Sequence, residues 1–183
     1  MNINLHKQMT YGSYALIFSI LLPMIKMPSM ASNTEDNSKQ DQESIVYRVY
    51  KDFAWEAVFA QNGQENPVLG DPLVDQPVSI LRKYFDPDLA KLLVKDAQCA
   101  SSGQVCKLDF DPIFASQDNM VFDLRIHLIR SRVVETEYSL RPGGKIVRML
   151  FKLKFTETGW IINDIIYPEF ANRSLRNILQ GSQ

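Results

Sequence analysis

The stretch from Lys145 to Pro168, KIVRMLFKLKFTETGWIINDIIYP, decides the fold. Val147, Met149, Phe151, Leu153 and Phe155 recur with period two, the pattern of a strand with one buried face. Thr156 to Gly159 supply a turn, and Trp160, Ile162 and Ile166 resume the alternation, so the stretch reads as a β-hairpin. Ile146 and Leu150 lie among Arg148, Lys152 and Lys154, and Ile161, Ile165 and Tyr167 lie opposite Trp160. Neither face is purely polar, so both need cover.

Two more strands precede the hairpin. From Val121 to Arg130 the apolar residues Phe122, Leu124, Ile126 and Leu128 alternate with Asp123, Arg125 and His127. From Arg132 to Leu140, Val134 and Tyr138 oppose Glu135 and Glu137, and Arg141 to Gly144 turn the chain into the hairpin. Upstream the period changes. Ile45, Val46, Val49, Phe53, Ala57 and Ala60 fall at helical spacing, Trp55 and Phe59 widen the stripe, and Asn62-Gly63 offers a stop. A Pro- and Gly-rich loop to Gln76 leads to two short helices, Pro77 to Phe85 and Pro87 to Ala97. Asp86 is the N-cap of the second helix and Pro87 its first residue, with Leu81, Leu89, Leu92 and Leu93 as core contacts. Asp111 is expected to cap a short turn begun by Pro112, and Gln117 with Asp118 to bond the way back into the sheet. A last short helix is expected from Arg173 to Leu179. Helices followed by an antiparallel sheet give an α+β order: a long N-terminal helix and short helices on a curved antiparallel sheet.

The N-terminus carries a different signal. Residues 1–31 combine Lys7, a run of 12 mostly apolar residues from Tyr14 to Ile25, and Ser29-Met30-Ala31 as a cleavage site, which reads as an export signal. The run is shorter than the about 20 residues a membrane span needs, so membrane contact is expected only where this segment stays uncleaved. Residues 32–43 contain no apolar side chain and are expected to form a disordered lead, leaving 44–183 as a single α+β domain. Cys99 and Cys106 fall in the exported part and enclose a short polar loop, so a disulfide is expected in a periplasmic or secreted protein.

Charge is uneven. The 20 Lys and Arg, less Lys7 and Lys26, leave 18 against 21 acids, a net charge of −3. Residues 32–124 hold 8 basic and 16 acidic groups, whereas 125–154 hold 8 basic and 2 acidic. Acidic helices against a basic sheet explain this within the molecule; a face for an acidic partner is the second reading. No aromatic-interleaved basic motif points to nucleic acid. Two cysteines and distant histidines do not make a metal site, no Gly-rich loop cradles a phosphate, and no cofactor is expected. His127 sits in the charge ladder. Asp164 alternates in phase with Trp160, Ile162 and Ile166, which points it to an apolar face where a carboxylate needs partners. Either it is tied by Arg, Lys or backbone donors, or it is a pocket general base.

Asp111-Pro112-Ile113-Phe114-Ala115-Ser116-Gln117-Asp118, the Gly-Trp-x-Ile-x-Asp-Ile run at Gly159 to Ile165, and Ser174-Leu175-x-x-x-Leu179 resemble the family catalogued as domain of unknown function 3828. The resemblance covers roughly Ser44 to Leu179, and the Cys99 to Cys106 loop has no counterpart in it. It implies an exported bacterial protein with a cystatin-like or nuclear transport factor 2-like cone, and no activity. The positions it marks are Asp111, Gln117, Asp118, Trp160 and Asp164. Cones of this type can pair as homodimers through their sheets. The expected function is a non-enzymatic envelope module, of inhibitor or immunity type, that binds an unidentified protein or small ligand through the sheet's concave face. Candidate binding residues are Trp160, Asp164, Tyr138, Tyr167, Arg148, Lys152, Asp111, Gln117 and Asp118. The alternative is a cofactor-free isomerase- or dehydratase-like enzyme with Asp164 as base beside Tyr138 or Tyr167.

Overall fold

The computed structural model describes residues 31–54, 72–117 and 121–181. Helix α1, Ala31–Phe53, opens this part of the chain. The lead expected to be disordered is therefore helical, and the end of that lead touches the sheet. Gln42 Oε1 accepts the Arg132 N–H at 2.7 Å, and Glu43 Oε1 accepts the Leu128 N–H at 2.6 Å. Lack of apolar residues argued for disorder, but two polar side chains dock here on backbone donors of the sheet. The segment also holds neither Gly nor Pro to break a helix. Ile45, Val46, Val49 and Tyr50 then form the buried stripe. Trp55, Ala57, Phe59, Ala60, the Asn62-Gly63 stop and residues 1–30 of the expected export signal lie outside the described residues.

A 3₁₀ turn at Leu73–Asp75 leads into α2, Val78–Leu81, which stops short of the expected Phe85. Residues 82–84 turn instead, and Phe85 is drawn into a parallel bridge with Ile162. Helix α3, Pro87–Ser101, begins as expected, with the Asp86 carboxylate accepting the Asp88 N–H at 3.1 Å and Pro87 in the first turn. Leu81, Leu89 and Leu93 are buried, and Leu92 packs half-buried beside them. Cys99 and Cys106 form the expected disulfide, with an S–S distance of 2.07 Å. The Asp96 carboxylate accepts the Lys107 and Leu108 N–H groups at 2.8 and 3.1 Å and so holds the chain that leaves the loop.

The sheet is antiparallel and follows chain order, β1 (Phe122–Arg130), β2 (Val133–Ser139), β3 (Ile146–Thr156), β4 (Gly159–Tyr167) and β5 (Arg173–Ser174). The hairpin pairs Phe155 with Trp160, Leu153 with Ile162 and Phe151 with Ile165. Between these pairs the register slips: Lys152 faces Asp164 whereas Leu153 faces Ile162, so Asn163 is the extra residue of a bulge. This corrects the expected phase of Asp164. It shares a face with Lys152 and Ile166, not with Trp160 and Ile162.

One face of the sheet packs on α1: Tyr50 meets the Phe151 ring edge-on at 6.0 Å, and Thr136, Met149, Ile162 and Ile165 are buried there. The bulge also divides the outer edge of β4. Ile162 exchanges backbone bonds with Tyr84 and Asp86 (2.7 and 2.8 Å), and Ile166 and Tyr167 pair with β5. Arg173 and Ser174, expected in the last helix, are thus strand; α4 is Leu175–Gln180, capped by the Ser174 hydroxyl accepting the Asn177 N–H. Leu175, Ile178 and Leu179 close the core. The architecture is α+β with a five-stranded antiparallel sheet, and no described helix is long and apolar enough to cross a membrane.

Candidate functional site

A turn of main chain is buried in the core. Residues 111–116 fold on themselves: the Asp111 and Ser116 backbones bridge, the Asp111 carbonyl accepts the Ala115 N–H at 2.8 Å, and the Asp111 side chain accepts the Ile113 N–H at 2.8 Å. Ala115 takes a left-handed φ of 49° to close the turn. Pro112, Ile113 and Phe114 are buried, so their carbonyls are out of reach of water. Three tyrosines from three elements supply the donors. Tyr167 of β4 donates to the Pro112 oxygen at 3.0 Å, Tyr50 of α1 to the Ile113 oxygen at 2.6 Å, and Tyr138 of β2 to the Phe114 oxygen. A buried carbonyl without a donor costs about 1–3 kcal/mol, so the tyrosines decide whether this turn can sit inside. The Phe114 ring packs edge-on against Tyr50 and Tyr138 at 5.8 and 6.2 Å.

Burial pushes all three phenols well above their ordinary range, and the Asp111 charge adds to the effect, so they stay protonated donors. Burial also pushes the Asp111 carboxyl up, to about 6, against the pull of the Ile113 and Phe114 N–H groups. A carboxyl half-ionised in this range is a candidate acid or base by chemistry, but its oxygen is engaged within the turn.

Of the residues singled out in the sequence, Asp111 and Gln117 line one groove and the others lie apart. Tyr138, Tyr167 and Asp111 belong to the buried turn. Gln117 is exposed and donates to the Asp109 carbonyl at 2.9 Å, and Asp118 lies outside the described residues. Trp160 is half-buried near the hairpin tip, edge-on to Phe155 at 5.0 Å. Asp164 is 8% exposed and its Oδ1 accepts the Ile165 and Arg176 N–H groups at 2.9 and 3.1 Å, which ties β4 to the start of α4. Arg148 and Lys152 point away from α1, on the outer face of the sheet. The inner face gathers Trp160, Tyr138 and Tyr167, the outer face Arg148, Lys152 and Asp164.

Cross-strand pairing organizes the outer face. Arg125, Glu137 and Arg148 lie in one row, with the Arg148 Nε 2.7 Å from Glu137 Oε1; His127 and Glu135 occupy the next, 3.2 Å apart. The Arg148 hydrogen bond and charge hold Glu137 below the usual carboxylate range. A concavity of about 210 Å³ opens beside them, lined by Asp123, Arg125, Glu137, Ser139, Gly144 and Ile146. At the hairpin end, Lys154 and Arg176 bracket Asp86 at 3.5 and 3.1 Å. Burial works to raise Asp86, but the Arg176 bond, the Asp88 N–H and the two cations outweigh it and lower the carboxyl. A second groove, of about 480 Å³, runs between α3 and the two ends of the buried turn, with Leu93, Leu108 and Phe110 beside Asp96, Asp111 and Gln117. Among the described residues no group of three His, Cys, Asp or Glu is disposed to hold a metal.

Sequence reasoning missed Tyr50, Thr136 and Arg176. Tyr50 lies 63 positions from the carbonyl it serves, and the helical stripe read from the sequence did not include it. Compared with known proteins, the chain matches no family model, no curated protein and no solved structure.

Proposed function

We propose that the chain is an exported, non-enzymatic binding module, periplasmic or secreted, that engages a partner in the cell envelope through the outer face of its sheet. The observation that carries this reading is the buried turn: among the described residues, the hydroxyls of Tyr50, Tyr138 and Tyr167 are all bound to carbonyls of residues 112–114. The surface for a partner thus moves from the concave face expected earlier to the outer one, where Arg125, Arg148 and Lys152 are exposed. Export is supported by the disulfide, which fits an oxidizing compartment. The motif resemblance to domain of unknown function 3828 and the cone architecture belong to the same reading, as does an inhibitor or immunity-type role. The enzyme alternative has less to stand on, since Asp164 binds two backbone N–H groups while Tyr138 and Tyr167 serve the buried turn.

The test is capture from envelope extracts with the mature chain and with the double variant Arg148→Glu, Lys152→Glu. A defined partner held by the parent and lost by the variant is the expected outcome. Capture of nothing, or a partner indifferent to both substitutions, overturns the outer-face reading.

A further inference from the structure

The sheet has two unlike edges. The β4 edge is covered, by residues 84–86 over one half and by β5 over the other. The β1 edge is not. The Leu128 N–H points away from β2, to Glu43, and the register from Arg125 to Leu128 is regular. Ile126, two residues earlier, therefore turns its N–H and C=O outward as well. No backbone group of another described element bonds to them. Bulges at both ends of β1, and the left-handed Asp123 at a φ of 56°, confine the open edge to its middle. Beside it lies a notch of about 260 Å³ between α1 and β1, formed by Glu43, Ser44, Tyr47 and Ile126. Tyr47 is 60% exposed and forms an aromatic wall of the notch.

We propose that this edge takes an extended acidic segment of a partner protein as a sixth strand, with apolar side chains of that segment entering the notch beside Tyr47 and Ile126. Strand addition uses main-chain bonds for affinity and alternate side chains for selectivity. The alternation here is legible from β1. Its inner side chains, Leu124, Ile126 and Leu128, are apolar and half-buried, and its outer ones include Arg125 and His127. Arg125, Arg130 and Arg132 are exposed and enter no ion pair among the described residues. An incoming strand matches this edge when acidic residues on its outer face alternate with apolar ones on its inner face. A second copy of this chain matches poorly, because antiparallel pairing about Ile126 sets Arg125 of one copy against His127 of the other.

The proposal rests on the binding-module reading and names the partner's chemistry. It is tested with the isotope-labeled mature chain and a short capped peptide alternating Glu and Val, compared with a Lys and Val peptide and with an N-methylated Glu and Val peptide. The expected result is saturable slowing of amide exchange at Ile126 by the first peptide only, with affinity about tenfold weaker in Arg125→Glu, Arg130→Glu. No slowing at Ile126, equal effects of the Lys and Glu peptides, or slowing that grows with protein concentration alone overturns it, the last in favor of self-pairing. A captured partner that depends on Arg148 and Lys152, without protection at Ile126, removes this proposal and leaves the binding-module reading in place.

Discussion

The Tyr50 hydroxyl donates to the Ile113 carbonyl at 2.6 Å and lies 3.2 Å from the Thr136 hydroxyl, so one phenol joins α1, the buried turn and β2. Removing it leaves the phenyl packing in place and strands a buried acceptor. Tyr50→Phe is expected to lower unfolding free energy by about 1–2 kcal/mol, read as a lower urea midpoint at unchanged slope. Tyr138→Phe and Tyr167→Phe act on neighboring carbonyls, and the double variants should depart from additivity because the turn moves as a unit. A Tyr50→Phe protein with the parent's midpoint would show that the carbonyl finds another donor.

Asp111 makes stability depend on pH in an unusual direction for a carboxylate. Its folded pKa is raised from 3.8 to about 6, so the native state holds the proton more tightly than the unfolded state does. The contribution is full below the unfolded value, declines as pH rises from about 4 to 6, and is gone above that; the whole swing is up to about 3 kcal/mol. Asp111→Asn keeps an oxygen for the Ile113 N–H and carries no charge. It should be more stable than the parent at pH 7.5, with the gap closing toward pH 4. Chemical denaturation of both proteins across that range checks it, and a constant gap would remove Asp111 from the account.

Glu43 and Gln42 provide a separate check on the N-terminal region. Each side chain serves one backbone N–H at the β1 edge or the following turn. Glu43→Ala and Gln42→Ala should each cost about 1 kcal/mol and should speed amide exchange at Leu128 and Arg132 respectively. Deletion of residues before Lys39 should leave those amides as slow as in the parent. Fast exchange at both amides in the parent would mean that the helix does not hold these contacts in solution.

How much of this was legible follows from particular residues. Strand β3 was clear because Val147 to Phe155 alternate cleanly, and the start of α3 because Asp86-Pro87 is an unambiguous cap. The phase of β4 was not, since Ile161, Ile162, Ile165 and Ile166 place isoleucines on both parities around Asn163. With alternation degenerate, nothing local marks the bulge, and Asp164 was assigned to the wrong face. The disulfide was legible because the loop is short. The role of 111–116 was not: the capping bond of Asp111 is local, whereas the tyrosines that admit the turn to the interior lie 24 to 63 residues away.

The buried turn also constrains the order of assembly. Its three carbonyls find their donors only when segments as distant as Tyr50 and Tyr167 have come together, so a nascent chain still short of β4 must leave the Pro112 oxygen in water or bury it unmet. Closure of the interior is therefore a late, long-range event, of the kind that slows folding. Under the export proposed above that delay is an advantage, because translocation as an extended polypeptide requires that the chain not finish folding before it crosses.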